Sequence, residues 1–363
     1  MCSIHQLDAS KVEVFGERLL GIINDGALAL MISIGHRTGL FDTMRNLPPA
    51  TSEEIAEAAN LNERYVREWL GAVTVGGIIN CEPGQPLPKY ELPQEHAASL
   101  TRAAKADNMA IFTQYVGILG AVEDRVVECF QDGGGVAYEE YARFHEVMAE
   151  DSGQSVGFSL LDLVLPLAPG IVEKLQSGIE VLDVGCGMGR ALILMAETFP
   201  NSRFTGYDLC EEPIENARKE AGRKGLTNIT FVQRDLTNFH EDAPETAFDF
   251  ITAFDAIHDQ ARPDQVLSGI QRALKADGTF LMQDIAGSSH HYNNYDHPLG
   301  PTLYTISCMH CMTVSLAQDG MGLGAMWGEE KARDMLSEAG FNNVDIKNLE
   351  HDVQNNYYIV KKN

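Results

Sequence analysis

Positive charge is scarce in this chain. Its 363 residues include 27 lysines and arginines against 52 aspartates and glutamates, so the formal net charge is −25 at pH 7. A surface of that sign repels polyanions at long range, whereas proteins that hold nucleic acid or anionic lipid present clustered basic residues. We therefore expect neither nucleic acid nor a membrane surface among the partners of this protein.

Long uncharged apolar runs and a cysteine framework are missing as well. The sequence contains no stretch of about 18 uncharged apolar residues, which a membrane-spanning helix would need. The seven cysteines are odd in number and scattered, unlike the paired cysteines of disulfide-stabilised secreted domains. Residues 1–16 also lack the charged start and apolar centre of a secretory signal peptide. These absences predict a cytoplasmic protein without a membrane span.

What the chain does have is a glycine-rich turn at residues 181–190, VLDVGCGMGR. An apolar run carries one acid, breaks into three glycines at alternate positions, and is followed at once by an apolar pattern of helical spacing. The acid is Asp183 and the glycines are Gly185, Gly187 and Gly189. This pattern is typical of a buried strand, a tight turn and a helix start, where a ligand can approach bare backbone and free N–H groups. A dehydrogenase fingerprint would need a further glycine at Arg190 or Leu192, so a dinucleotide ligand is disfavoured.

Acids also follow the next two predicted strands. The strand pattern at 203–207 ends in Asp208, which lies 19 residues past the last glycine, and the pattern at 229–233 is followed by Asp235. In open parallel sheets ligands bind at the carboxyl ends of the strands. An acid at about the distance that separates Asp208 from the glycine turn accepts ribose hydroxyls. Taken alone, Asp208 could instead cap a helix and Asp235 could form a turn.

The glycine turn and the two strand-end acids together resemble the class I S-adenosylmethionine (SAM) methyltransferases over residues 179–285. The resemblance implies an α/β fold with a Rossmann-like seven-stranded sheet, SAM as the cofactor, and contact of the adenine by Asp235. It also implies that the end of a fourth strand, at 248–254, borders the sulfonium. The predicted cofactor contacts are Asp183, Gly185, Gly187, Gly189, Asp208, Asp235, Phe254 and Asp255.

A histidine, His258, follows the fourth strand in the segment AIHDQARPDQVLSGI. Imidazole is well matched to proton removal near neutral pH. The segment resembles that of plant-type O-methyltransferases, in which a histidine before an aspartate is the general base, although Gln260 replaces the family's usual aromatic residue. The resemblance implies that His258 takes the acceptor proton; packing or capping at a helix start is the other interpretation.

The function that these patterns favour is SAM-dependent methylation of a small molecule, at oxygen. Two alternatives stay open at this point. One is a SAM-binding sensor that does not turn over, and the other is an N-, S- or protein methyltransferase, which needs no base at His258.

The N-terminal region is similar to a winged helix, with a helix-turn-helix pattern and two short strands within residues 10–100. Helical periodicity over 10–45 is broken by Gly35 and Gly39. Residues 1–100 contain 7 lysines and arginines against 13 aspartates and glutamates, so this winged helix does not have the basic face of a DNA reader. The layout resembles that of small-molecule O-methyltransferases, in which the winged helix pairs two subunits and helps to wall the substrate pocket. This resemblance implies a homodimer, and DNA binding stays open as the alternative.

The predicted organisation is a winged-helix domain at 1–100, a helical linker and lid at 101–178, and a SAM-binding domain at 179–363 with an insertion at 286–328. Cys308, His310 and Cys311 in the insertion raise the question of zinc. However, their spacing is not that of a zinc finger, and cysteines are common core residues. We therefore expect a buried or pocket-lining helix there, and no metal.

Overall fold

The computed structural model describes residues 7–84 and 87–362, apart from the side chains of residues 154–156 and 158. Residues 1–6 lie outside these ranges. They include Cys2 and the start of the segment that was compared with a signal peptide. The chain divides into two compact units, Met1–Ile118 and Leu119–Asn363.

The first unit is mostly helical. Its helices and strands are α1 (Ala9–Thr38), α2 (Leu40–Arg45), α3 (Ser52–Ala59), α4 (Glu63–Val75), β1 (Asn80–Glu82), β2 (Lys89–Glu91), α5 (Gln94–Leu100) and most of α6 (Thr113–Gly120). Two 3₁₀ segments, Arg102–Asp107 and Met109–Phe112, lie between α5 and α6.

The winged helix predicted for this unit is confirmed. Thr51 and Glu54 form a capping box at the start of α3, in which each side chain accepts a hydrogen bond from the other residue's backbone N–H. The wing is the antiparallel pair β1–β2, with Cys81 opposite Tyr90. An edge-to-face contact of Phe41 with Trp69, with ring centroids 5.4 Å apart, lies within the apolar core between these helices.

The helix α1 is one continuous element, so the predicted break at Gly35 is wrong. Gly35 lies inside the helix because a Cβ there would come within 2.6 Å of the rings of Phe41 and Trp69; the glycine allows close packing and does not end the helix. Gly39, with φ of 72°, is the residue that ends it.

Most of α1 is exposed despite its apolar character. Its apolar side chains with at least 40% of their surface exposed are Val12, Val14, Phe15, Leu19, Leu20, Ile22, Ile23, Leu30 and Ile34. By length and composition alone, this helix could cross a membrane; core helices of soluble proteins and signal sequences share those two properties.

The second unit contains the large sheet. Its strands are β3 (Glu180–Val184), β4 (Arg203–Asp208), β5 (Ile229–Gln233), β6 (Phe248–Phe254), β7 (Leu274–Ile285), β8 (Asn343–Leu349) and β9 (Asp352–Lys361). Its helices are α7 (Glu123–Asp132), α8 (Phe144–Ser159), α9 (Ile171–Ser177), α10 (Arg190–Thr198), α11 (Glu211–Arg223), α12 (Phe239–Asp242), α13 (Pro263–Ala273), α14 (Gly300–Ile306), α15 (Met312–Ala317) and α16 (Gly328–Glu338).

The sheet has the order β5-β4-β3-β6-β7-β9-β8, with β9 antiparallel to both of its neighbours and the other pairs parallel. This is the predicted Rossmann-like seven-stranded methyltransferase sheet, and the predicted fold class is confirmed. From β3 the chain continues to one side through β4 and β5, and from β6 it continues to the other side. The carboxyl ends of β3 and β6 therefore flank a topological switch point, where open α/β sheets bind ligands.

Successive residues of the central strands pack on opposite faces of the sheet. Phe250 of β6 belongs to the apolar cluster on one face, with α10 and α11, and Ile251 belongs to the cluster on the other face, with α13 and α16. Because both faces are covered, the site at the strand ends stands on a rigid base.

The insertion after β7 folds as α14, a π-helical turn at Ser307–Cys311 and α15. A buried or pocket-lining helix was predicted around Cys308, His310 and Cys311, and the structure has three joined helical segments there. The six cysteines within the described ranges are all free. Among the described residues no group of three or more His, Cys, Asp or Glu side chains is arranged to hold a metal ion.

Candidate active site at the ends of the parallel strands

The turn between β3 and α10 adopts backbone conformations that favour glycine. Gly185, Gly187 and Gly189 have φ of 71°, 50° and 68°. A Cβ on Gly185 would lie 2.5 Å from that of Ala256, and one on Gly189 would lie 2.4 Å from the Phe231 ring. No atom lies within 4 Å of the position that a Cβ on Gly187 would take, so only the backbone angle restricts that residue.

The carboxylate of Asp208, at the end of β4, holds this turn in place. One oxygen accepts the backbone N–H of Gly187 at 2.8 Å, and the other accepts that of Cys210 at 2.9 Å. Burial raises the pKa of Asp208, and these two hydrogen bonds oppose the increase. Asp208 is not the N-cap of α11, because Cys210 occupies that position.

Asp183 lies at the base of the site, with 3% of its surface exposed. It accepts a hydrogen bond of 2.7 Å from the Thr252 hydroxyl on the neighbouring strand β6. Burial raises the pKa of this carboxyl to about 7, although the Thr252 hydrogen bond lowers it. Asp183 therefore changes its charge near neutral pH.

A cavity opens over these strand ends, and seven of the eight predicted cofactor contacts line it. They are Asp183, Gly185, Gly187, Asp208, Asp235, Phe254 and Asp255. The eighth, Gly189, lies behind the turn, where it is the left-handed N-cap of α10. The structure therefore brings the ends of four strands and the glycine turn to one space.

Asp255 and Asp235 both line this cavity, but they differ in burial and in hydrogen bonding. Asp255 has an unusual φ of 49°, and one of its oxygens accepts a hydrogen bond of 2.8 Å from Gln283. Its other oxygen is buried and has no partner among the described residues, and burial raises the pKa of the carboxyl well above its ordinary value. Asp235 is exposed and accepts the backbone N–H of Thr237 at 2.8 Å, as a turn-forming aspartate does.

His258 does not line this cavity. It is 3% exposed, and its Nδ1 lies 2.8 Å from a carboxylate oxygen of Asp284, at the end of β7. The same oxygen accepts the Trp327 indole N–H at 2.9 Å. Burial would lower the pKa of His258, but the Asp284 charge raises it well above its ordinary value. The Cys311 thiol also interacts with the ring and adds to the increase of its pKa.

Two site features were missed by the sequence analysis. Asp284 orients His258, and it could have been found as one more acid at a strand end. Tyr138 donates its hydroxyl to Asp259 at 2.8 Å, and both residues line the cavity. Burial raises the pKa of Asp259 to about 6. Tyr138 begins a short 3₁₀ turn, Tyr138–Glu140, far along the chain from Asp259, and no pattern of spacing marks it.

Two protein families match this chain. Residues 175–340 match the family described as "Methyltransferase domain", and residues 26–102 match the family described as "Rv2258c-like winged HTH domain". The predicted combination of a class I methyltransferase domain with an N-terminal winged helix is confirmed.

Curated relatives match part of the chain. The ubiquinone biosynthesis O-methyltransferase of Actinobacillus pleuropneumoniae serotype 7 is 30% identical over 154 residues, which are 40% of this chain and 64% of the relative. The fatty-acid O-methyltransferase of Mycolicibacterium smegmatis is 33% identical over 107 residues, which are 30% of this chain and 37% of the relative. The chain thus spans less than two thirds of the length of these two relatives.

Solved structures match the whole chain at low identity. Human N-acetylserotonin methyltransferase in complex with SAM has a TM-score of 0.66 at 17% identity, covering 100% of this chain and 99% of that one. An O-methyltransferase family protein from Burkholderia thailandensis has a TM-score of 0.66 at 16% identity, covering 98% of this chain and 99% of that one. At such identities the likeness establishes the fold.

The raised pKa of Asp183 predicts a pH-dependent loss of stability. The folded carboxyl titrates at about 7 and the unfolded one near 3.8, so between these values the folded state binds a proton that the unfolded state lacks. The free energy of unfolding should therefore fall as pH rises from about 4 to about 7. Asp183→Asn should remove the contribution of this residue to the dependence and stabilise the protein by on the order of 4 kcal/mol at pH 8, with little effect at pH 4.

Urea unfolding of the wild type and the variant at several pH values measures this difference. Asp235→Asn, which removes an exposed carboxylate from the same cavity, is the matched control and should leave the pH dependence unchanged. An equal gain for Asp183→Asn at pH 4 and pH 8 would contradict the assignment.

Proposed function

We propose that this chain, which carries a class I SAM-dependent methyltransferase domain and an N-terminal winged helix, transfers the methyl group of SAM to an oxygen atom of a small molecule. The observation that carries the proposal is the convergence of seven predicted cofactor contacts on one cavity at the switch point of the sheet. Among open parallel sheets this is the usual place for a nucleotide-like ligand.

The residues present fit the cofactor. Gly185 and Gly187 leave main chain exposed on one side of the cavity, and the buried oxygen of Asp255 has no partner among the described residues. When bound, SAM supplies a methyl group already activated by its positive sulfur. We assign ribose hydroxyls to Asp208 and the adenine amino group to Asp235, with Phe254 and Asp255 beside the sulfonium. The carboxylates of the cavity favour a ligand that carries positive charge.

Asp208 provides the test of cofactor binding. Asp208→Ala removes the proposed ribose acceptor and the carboxylate that fixes Gly187, so we expect at least a tenfold loss of affinity for SAM and for S-adenosylhomocysteine. Isothermal titration calorimetry measures both affinities. Glu215→Gln, on the exposed side of α11, is the control and should bind as the wild type does. If the wild type binds neither compound, the proposed function is wrong.

His258 is the proposed general base. Its Nδ1 is bound to Asp284, which fixes the ring orientation, so Nε2 is the nitrogen that would receive the proton of an acceptor hydroxyl. The Asp284 charge also strengthens the base, because it raises the pKa of the imidazole. His258 is not among the residues that line the cavity, so the proposal requires an acceptor to reach it past the cavity wall.

The role of His258 predicts a kinetic signature. His258→Ala should lower kcat for an oxygen acceptor by about 10²- to 10⁴-fold and leave SAM affinity unchanged. In the wild type kcat should rise with pH, because the base acts only after losing its proton, and the midpoint should lie above the ordinary histidine value. Steady-state kinetics between pH 6 and 10 measure both effects, with His240→Ala as a control on a histidine outside the site.

The burial of His258 also favours a second candidate function. A SAM sensor, or an enzyme that methylates nitrogen, sulfur or a protein side chain, needs no base at the cavity. Undiminished transfer by His258→Ala under saturating SAM would support an enzyme that methylates nitrogen, sulfur or a protein side chain, and would contradict O-methylation through His258. A screen of acceptors with labelled SAM distinguishes turnover from sensing.

The partners we propose are a small-molecule acceptor and a second copy of the chain, in the cytoplasm, with no nucleic acid and no membrane. The arginines of α4, the helix that would read DNA, are paired within the helix: Arg64 with Glu68 and Arg67 with Glu63. The helix α1 carries Glu17 and other charges among its exposed apolar residues, which suits a protein interface better than lipid.

The homodimer can be tested at α1. Replacing Phe15 and Ile22 together by glutamate should convert a dimer into a monomer of 39.8 kDa, because it places charge on the exposed apolar surface. Sedimentation velocity measures the mass. Val75→Glu, at an exposed apolar position on α4, is the control and should leave the dimer intact. A monomeric wild type at micromolar concentration would contradict the proposal.

A further inference from the structure

One histidine in the second unit is buried without any hydrogen-bond partner. His310 is 1% exposed, and neither its Nδ1 nor its Nε2 has a partner among the described residues. Any neutral imidazole has one N–H donor and one nitrogen acceptor, and burying both unpaired destabilises a fold. Unsatisfied polar groups of this kind are rare in native proteins, so this one calls for an explanation.

Aromatic rings enclose His310. The Phe144 ring stacks on the imidazole with centroids 3.5 Å apart and planes 11° apart, and Tyr141 and Tyr138 contact it edge-on at 4.8 and 5.4 Å. Burial lowers the pKa of His310 well below its ordinary value, so the ring is neutral at physiological pH. It therefore offers a donor and an acceptor of hydrogen bonds and no charge.

The backbone places His310 next to the proposed base. His310 and Cys311 lie in the π-helical turn Ser307–Cys311, and such turns are frequent at functional sites. The Cys311 thiol interacts with the His258 ring, and the charge of His258 acts on His310. Two adjacent residues of one short turn therefore lie within electrostatic reach of the proposed base.

The same aromatic rings form the wall of the cofactor cavity. Tyr138 and Phe144 line that cavity and also contact His310. Tyr138 is held by its hydrogen bond to Asp259, and the loop before it contains two glycines of positive φ, Gly133 and Gly134. Two side chains of the cavity wall thus also pack against His310.

We propose that His310 is an acceptor-recognition residue, and that the acceptor is an uncharged planar hydroxyl compound with a second hydrogen-bonding group beside the reacting hydroxyl. This proposal rests on the proposed function. With the Tyr138 and Phe144 side chains turned aside, the acceptor lies between the cofactor cavity and the two histidines. His258 receives the proton of the reacting hydroxyl, and His310 binds the neighbouring group.

Charge and shape determine the class of acceptor. The charges that act on Tyr138, His258 and Cys311 include the carboxylates Asp259 and Asp284, and these disfavour an anionic acceptor. The aromatic rings around the site favour a flat one, by stacking. A neutral imidazole can form a hydrogen bond with a hydroxyl or a carbonyl of the acceptor. That hydrogen bond is lost when the acceptor has no such group beside its reacting hydroxyl.

The variant His310→Phe tests this proposal, because phenylalanine keeps the ring stacking and removes both nitrogens. We expect a higher melting temperature, an unchanged affinity for S-adenosylhomocysteine, and at least a tenfold loss of affinity for the acceptor. Met309→Leu, on the same π-helical turn, is the matched control and should change none of the three. A purely structural role would lower the melting temperature and leave acceptor discrimination intact.

Catechol, phenol and benzoate are the probes, titrated by calorimetry into protein saturated with S-adenosylhomocysteine. The wild type should bind catechol at least tenfold more tightly than phenol and should not bind benzoate, and His310→Phe should bind catechol and phenol equally. A preference for catechol that survives in His310→Phe would overturn the proposal, as would a lower melting temperature of that variant. A wild type that binds S-adenosylhomocysteine but none of the probes would overturn the acceptor class alone, whereas failure to bind S-adenosylhomocysteine would refute the proposed function.

Discussion

The site depends on one carboxylate that joins two segments of backbone. Asp208 accepts the N–H of Gly187 with one oxygen and that of Cys210 with the other, so the turn after β3 is fixed to the end of β4. A glycine turn is otherwise the most freely moving kind of backbone. Because this contact removes that freedom before a ligand arrives, the exposed main chain of the turn is preorganised, and binding requires less ordering.

The same region is energetically unfavourable for the empty protein. Burial raises the pKa values of Asp183, Asp255 and Asp259, which means that each carboxylate loses hydration without gaining an equivalent partner. Such groups are typical of functional sites, where stability is given up for binding. A cationic ligand in the cavity would compensate the carboxylates, and its binding would stabilise the fold by mass action.

The parts of the site that could be predicted from sequence are those set by local pattern. Patterns of residues a few positions apart predict the strand ends, the glycine turn and the acids at the ends of β3, β4 and β5. The predicted bounds of β5 and β6 agree with the structure. Gly35 was misjudged because its role depends on two rings brought to it by tertiary packing. The contacts of His258 with Asp284 and of His310 with Tyr138 and Phe144 depend on the tertiary packing of separate segments, and spacing carries no information about such contacts.

The pKa values of His258 and His310 are shifted in opposite directions, and that difference matches the two roles proposed for them. His258 and His310 are both buried, and burial alone would lower the pKa of each. Asp284 reverses the effect at His258 and makes it a stronger base, whereas the aromatic rings around His310 provide no carboxylate and keep it neutral. A proton acceptor needs the first environment, and a group that only recognises its ligand needs the second. If the surroundings of His258 and His310 were exchanged, the proposed base would be weak and the proposed recognition group would be charged. The carboxylate of Asp284 therefore determines which histidine suits which proposed role.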